Sequence, residues 1–100
     1  MRSSFDTERT NIYGEKKFAI KRGPPLFISH TNRDIFDPLL YGFEWNMWDI
    51  DDKLLLKSNA NFITYLFSLE GNYTVDLTIT NKKTKQEKYL KKLYWIQVTV

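Results

Sequence analysis

The side chains best suited to catalysis or transition-metal binding are few in this chain. His30 is the only histidine and there is no cysteine, so a multi-histidine metal site and a thiolate nucleophile are both excluded. The sequence also lacks a glycine-rich phosphate-binding loop and a G-x-S-x-G nucleophile motif. These observations predict no catalytic residue, no cofactor and no enzymatic activity.

Three carboxylates are the other candidates for metal chemistry. Asp49, Asp51 and Asp52 lie in one short loop, and carboxylates at alternate loop positions are the ligands that Ca²⁺ takes. The loop has neither the spacing nor the glycine of an EF-hand, so a solvated turn is favoured and no metal ligand is assigned. Whether calcium binds there is left open.

A basic segment near the C-terminus suggests a different chemistry. It holds six lysines and one glutamate between residues 81 and 92, with Tyr89, Tyr94 and Trp95 in or beside it. Cations that contact phosphates, together with aromatic rings that stack on bases, are typical of proteins that bind single-stranded nucleic acid. Lysines around a hairpin are more often a solvated loop that protects strand edges. A small basic β-barrel or sandwich that binds single strands is therefore the alternative hypothesis. The lysines are Lys82, Lys83, Lys85, Lys88, Lys91 and Lys92.

The elements that must position these residues are strands. Tyr41 to Trp48 and Tyr73 to Thr80 alternate strictly between large apolar and mostly polar residues, which is the period of a half-buried strand. Short β-rich runs about every 10 residues predict an all-β sandwich or barrel. The leucine-rich stretch "LLLKSNANFITYLFSLEG" is ambiguous, because its apolar start could begin a helix, but "SNAN" breaks that pattern and no convincing helix is expected. We expect one domain over residues 16–100, preceded by an extended N-terminal arm over residues 1–15. The expected strands are near 26–29, 41–48, 62–67, 72–80 and 93–99, with an edge strand near 16–21.

The same alternation predicts the core. Trp45 is the large central side chain, and Trp48 falls on the opposite face, where it is a candidate partner contact. Gly71 permits a turn with positive φ, and Tyr73 enters its strand from that turn, so that its ring is buried while its hydroxyl bonds a backbone group. The predicted core is Phe43, Trp45, Met47, Tyr73, Val75, Leu77 and Ile79.

Two motifs in these strands resemble a known family. "FEWNMWD" and "TYLFSLEGNYTVDLTITN" are similar to strands of the PKD domain, an immunoglobulin-like β-sandwich, and the resemblance extends over roughly residues 26–100. Trp48 stands where the first glycine of that family's Gly-Asp-Gly turn is usual, which leaves the shape of this turn open. The resemblance implies an immunoglobulin-like, antiparallel sandwich. The matching positions are Phe43, Trp45, Met47, Asp49, Tyr65, Phe67, Gly71, Tyr73, Val75, Leu77 and Ile79.

The resemblance also implies a function. Such sandwiches have no inherent active site and present loops and edges to partners. A chain that begins at Met1 without a signal sequence or a cysteine favours a phage virion component (capsid decoration, tail or baseplate accessory protein) over a cell-surface or secreted assembly, which would apply to a fragment of a longer chain. The expected partners are other structural proteins of the assembly or copies of this chain, with no small-molecule substrate and no membrane.

Opposite charges are separated along the chain. Residues 33–52 carry one arginine against six carboxylates, in contrast to the lysine-rich residues 81–92. If the strands near 41–48 and 72–80 are antiparallel, the acidic loop (residues 49–52) and the lysine loop (residues 82–85) lie at opposite ends of the sandwich. Asp34 and Asp37 would then lie beside the lysines. The arm would enter from the basic end and the C-terminus would leave at the acidic end. Lys82, Lys83 and Lys85 join Trp48 as candidate partner contacts.

Overall fold

A computed structural model describes residues 8–13, 17–23, 25–29 and 39–100. These residues form strands and turns without a helix, so the expected all-β fold is confirmed. Among them, no helix has the length and apolar character to cross a membrane. The strands are β1 (Glu8–Asn11), β2 (Phe18–Lys21), β3 (Leu26–Ser29), β4 (Tyr41–Trp48), β5 (Leu54–Ser58), β6 (Phe62–Tyr65), β7 (Gly71–Asn81) and β8 (Glu87–Thr99).

The strands form two sheets that enclose one core. The smaller sheet has the order β1-β3-β6 and the larger the order β2-β8-β7-β4-β5. In the larger sheet β4 and β7 are antiparallel, from Tyr41 opposite Asn81 to Trp48 opposite Thr74. Alternate side chains of both strands therefore lie between the sheets. Each of the six expected strands has a counterpart, in β2, β3, β4, β6, β7 and β8.

Two strand pairs are parallel, which corrects the expectation of a wholly antiparallel sandwich. β1 runs parallel to β3, and β2 runs parallel to β8. Two strands joined by a short hairpin must be antiparallel. No hairpin joins either of these pairs, because β2 separates β1 from β3 in the chain and strands β3 to β7 separate β2 from β8. The direction of these strands is therefore decided by packing.

Part of the predicted arm belongs to the sandwich. β1 pairs with β3, the Ile12 amide donates to the Ser29 carbonyl at 2.9 Å, and the Ile12 side chain is fully buried. One buried isoleucine among polar residues creates no periodicity, so the sequence did not indicate this strand. Residues 1–7 and 14–16 lie outside the described ranges, and the boundary at residue 16 stays a prediction.

The ambiguous leucine-rich stretch is a strand. β5 pairs with β4 through a tight turn, in which the Asp49 amide donates to the Lys53 carbonyl at 3.0 Å. Asp52 adopts φ 62° there, a left-handed conformation that glycine favours and aspartate tolerates. The turn thus forms without a Gly-Asp-Gly sequence.

The predicted core is confirmed at all seven positions. Trp45 is 0% exposed, and its indole Nε1 donates to the Ala60 carbonyl at 2.9 Å. Gly71 has φ 146°, and the buried Tyr73 donates its hydroxyl proton to the Leu69 carbonyl at 2.7 Å, as expected.

Trp95 breaks the alternation of buried and exposed side chains that a regular strand has. Trp95 and Ile96 are adjacent, yet both are fully buried, which a regular strand does not allow. The reason is an irregularity in β8: Tyr94 has φ 51°, and the pairing with β7 shifts between Tyr73 and Val75. A bulge of this kind turns an additional side chain to the same face.

The two charged turns lie at opposite ends of the sandwich, as predicted. The register of β4 and β7 places residues 49–52 beside residues 70–71 and places residues 82–85 beyond the other end, about 25 Å away at the rise of a strand. The first strand after the arm is expected to enter from the basic end, and β2 does so, because it runs parallel to β8 toward the acidic end. The described part of the arm itself does not extend away from the basic end. β1 is parallel to β3 and starts opposite Leu26, near the acidic end where the C-terminal strand also finishes. The predicted neighbours Asp34 and Asp37 are not among the described residues.

Candidate binding face

The four predicted partner contacts do not form one site. Trp48 lies at the acidic end of β4, whereas Lys82, Lys83 and Lys85 lie in the turn between β7 and β8 at the basic end. Trp48 is outside the core, as predicted, but it is half-buried. His30 lies outside the described residues, so its predicted lack of a catalytic or metal role stays a prediction.

Asn81 stabilises the turn that carries Lys82, Lys83 and Lys85 through hydrogen bonds to its backbone. Asn81 Oδ1 accepts hydrogen bonds from the Lys83 and Thr84 amides at 2.9 and 3.1 Å, and the Lys85 amide donates to the Asn81 carbonyl at 2.8 Å. The lysine side chains are exposed around this ordered backbone.

Asp49 stabilises the acidic turn, residues 49–53, in the same way. Its Oδ1 accepts hydrogen bonds from the Asp51 and Lys53 amides, both at 2.9 Å. This carboxylate oxygen therefore stabilises the turn, while Asp51 and Asp52 are exposed. In the described ranges, no three acidic or histidine side chains are grouped as metal ligands.

The aromatic residues of the basic segment are divided between the two faces of β8. Trp95 is buried, with the Lys92 ammonium 5.9 Å from its ring, so it offers no surface for stacking. Tyr89 is 57% exposed on the outer face of the larger sheet. Of the three rings, Trp95 is therefore removed from any stacking surface, whereas Tyr89 and the 38% exposed Tyr94 remain accessible to solvent.

A different cluster does assemble, on the outer face of the larger sheet. Opposed residues of neighbouring strands share a face, and the register sets Asn46 against Asp76, Asp76 against Lys91, and Trp48 against Thr74. We call Asn46, Trp48, Asp76, Tyr89 and Lys91 the outer-face cluster.

The centre of this cluster is a buried carboxylate. Asp76 is only 4% exposed although it points away from the core. Asn46 Nδ2 donates to its Oδ1 at 3.0 Å, and the Tyr89 hydroxyl donates to its Oδ2 at 2.7 Å. Hydrogen bonds to an ionised acceptor are among the strongest in proteins, so this carboxylate holds the exposed Tyr89 ring in one orientation.

The Trp48 ring is in contact with the ammonium group of Lys91. The Lys91 ammonium lies 5.3 Å from the centre of the Trp48 ring, within the range of an attractive cation–π contact. Lys91 stands opposite Asp76 in the register. Its ammonium covers the indole, while the side chain stays exposed at the surface.

The hydrogen bond to Asp76 also changes the acidity of Tyr89. That bond, with smaller effects from burial and from the charge of Asp76, raises the pKa of Tyr89 to about 12. Burial, followed by the charges of Tyr65 and Asp49, raises the pKa of Tyr73. Tyr89 is thus a neutral hydrogen-bond donor at physiological pH.

Sequence reasoning missed Asn46, Asp76 and Lys91 as one group. The available signal was Asp76 itself, the only charged residue of β7, which stands between the outward-facing Thr74 and Thr78. The cluster becomes visible once β4, β7 and β8 are placed side by side in register.

Comparison with known proteins found no matching family model, no matching curated protein and no matching solved structure. The outer-face cluster therefore has to be interpreted from its own geometry.

Proposed function

We propose that this chain is a non-enzymatic protein-binding module and that the outer-face cluster is its contact surface. The observation that carries the proposal is the buried Asp76, whose two oxygens are engaged by Asn46 and Tyr89. A carboxylate buried on a solvent-facing sheet is costly unless it is paired. Here its effect is to orient an exposed tyrosine.

The composition of the surface favours a protein partner. Trp48 and Tyr89 are aromatic, Leu54 is exposed opposite Trp48, and Lys91 contributes one positive charge. Aromatic residues held in fixed positions dominate the binding energy of protein interfaces, because little conformational entropy is lost on contact. Small molecules are bound mainly in concave pockets, whereas this surface is the outside of a sheet.

We further propose that the sandwich is immunoglobulin-like. The antiparallel run β8-β7-β4-β5 in the larger sheet supports this, whereas the parallel pair of β1 and β3 departs from that fold. The bond from the Tyr73 hydroxyl to the Leu69 carbonyl also supports it, since a tyrosine at this corner is a hallmark of such domains. The PKD resemblance and the placement in a phage virion stay predictions, as does the assembly in which the module acts.

Photo-crosslinking at the cluster tests the proposed surface. A benzoylphenylalanine at position 78, on the outer face opposite Tyr89, should capture a protein that the same group at Thr64, on the exposed face of the smaller sheet, does not. The captured protein, once purified, should bind Trp48→Ala and Tyr89→Ala at least about 10-fold more weakly than the parent chain. Equal affinity for the parent chain and both variants would rule out this surface.

The purified parent chain also tests the alternative hypothesis that this domain binds single-stranded nucleic acid. If a single-stranded oligonucleotide binds with an affinity that falls steeply with salt, and Lys82→Gln, Lys83→Gln and Lys85→Gln abolish that binding, the alternative is favoured. Protein binding through the cluster predicts little effect of these three changes.

A further inference from the structure

The basic end of the sandwich carries an open apolar groove. Leu39 and Leu40 are 83% and 60% exposed where the chain enters β4. The groove has a volume of about 480 Å³ and is lined by these leucines, Tyr41, Lys82 and Lys83, together with Asn81. Its backbone is ordered, since the Lys82 amide donates to the Leu40 carbonyl at 3.0 Å. Exposed leucines rimmed by lysines mark a docking surface for something apolar and acidic.

The opposite end of the same chain presents that chemistry. Ile50 is 53% exposed at the tip of the β4–β5 turn and is flanked by Asp49, Asp51 and Asp52. The hydrogen bonds to the Asp49 carboxylate and to its backbone hold this turn in one conformation. An apolar side chain is therefore presented on a rigid loop with two exposed carboxylates, and little entropy is lost when it docks.

We propose that the β4–β5 turn of one copy docks in the Leu39–Leu40 groove of a second copy. Ile50 would contact the leucines, while Asp51 and Asp52 would face Lys82 and Lys83. The occupant is a second copy because this chain carries both surfaces: the groove is apolar with a basic rim, and the turn is apolar with acidic neighbours. The proposal rests on the proposed function, a protein-binding module, and adds a partner and a second surface to it.

The geometry also sets the type of assembly. Turn and groove are different surfaces at the two ends of β4, so the contact is heterologous, and each bound copy leaves one turn and one groove available. Heterologous contacts continue into rings or linear stacks. The contact is small and charged, so association should be weak and sensitive to salt.

Sedimentation equilibrium with two complementary variants tests this arrangement. Leu39→Asp places a repelling charge in the groove, and Ile50→Asp removes the apolar tip of the turn. Both sites are exposed, so circular dichroism should show unchanged folding. The parent chain should associate beyond a dimer as its concentration approaches about 1 mM, while each variant should remain at the 12.0 kDa of the monomer. Leu93→Asp, at an exposed leucine of β8 outside both surfaces, should associate like the parent chain.

An equal mixture of the two variants is the decisive sample. Leu39→Asp retains an intact turn and Ile50→Asp an intact groove, so the mixture should form a dimer and nothing larger. A parent chain that is monomeric throughout, or a mixture that stays monomeric, would overturn the proposal. Neither result bears on the crosslinking test at position 78, so failure of self-association is distinguishable from failure of the proposed function.

Discussion

Replacing Trp45 should destabilise this protein far more than replacing Trp48, three residues along the same strand. Trp45 is 0% exposed between the sheets, and Trp48 is half-buried on the outer face beneath Lys91. The two alanine variants remove the same side chain from opposite faces of β4. They therefore test the register on which both the core and the outer-face cluster depend.

The expected magnitudes follow from these environments. Trp45→Ala leaves a cavity in a packed core, and changes of this kind cost about 3–5 kcal/mol. The lost hydrogen bond to the Ala60 carbonyl adds little, because Ala60 is exposed and water can replace the indole. Trp48→Ala loses a cation–π contact of about 0.5–1 kcal/mol and part of its apolar burial, so we expect a total of about 1–2 kcal/mol.

Urea denaturation followed by circular dichroism measures the difference. With a slope of about 1.5 kcal/mol per molar urea, Trp45→Ala should lower the midpoint by about 2–3 M, and Trp48→Ala by about 1 M. A domain of this size has a total stability of about 5–15 kcal/mol, so Trp45→Ala could be unfolded in water. Trp45→Phe, which leaves a smaller cavity, then provides a measurable midpoint. Equal shifts for the two alanine variants would refute the register of β4.

Two further predictions concern the outer side of the larger sheet. Thr74→Val should lower the free energy of unfolding by about 0.5–1.5 kcal/mol in urea denaturation, because the Tyr94 amide loses its 3.0 Å bond to the Thr74 hydroxyl in a partly buried bulge. Thr78→Val should change it by less than about 0.5 kcal/mol, and equal losses for the two variants would show that the bond does not stabilise the bulge. Absorbance titration should show a tyrosine ionisation near pH 12 that Tyr89→Phe lacks. Because the pKa of Tyr89 is raised above 10 in the folded state, its contribution to stability is complete below pH 10 and is lost between pH 10 and about 12. A Tyr89→Phe variant with an unchanged titration curve would contradict the bond to Asp76.

The sequence by itself determined the fold class, the central strands and their core. The period of two in β4 and β7 was unbroken, so Phe43, Trp45 and Val75 could be assigned to one face from spacing alone. The corner at Tyr73 could be predicted as well, because a glycine and a following tyrosine are local features. The separation of the charged turns followed once β4 and β7 were taken as antiparallel.

Only the tertiary structure decided which other residues join that framework. β1 and β5 are strands because β3 and β4 pair with them, although their own sequences show no clear period. Trp95 is buried because a bulge in β8 changes the face on which it lies, and a bulge has no sequence period. Asn46, Asp76 and Tyr89 lie far apart in sequence and meet because three strands align in register. Local spacing reports which face of a strand a side chain occupies, but contacts between strands depend on pairing partners and register, which are set by packing over the whole domain.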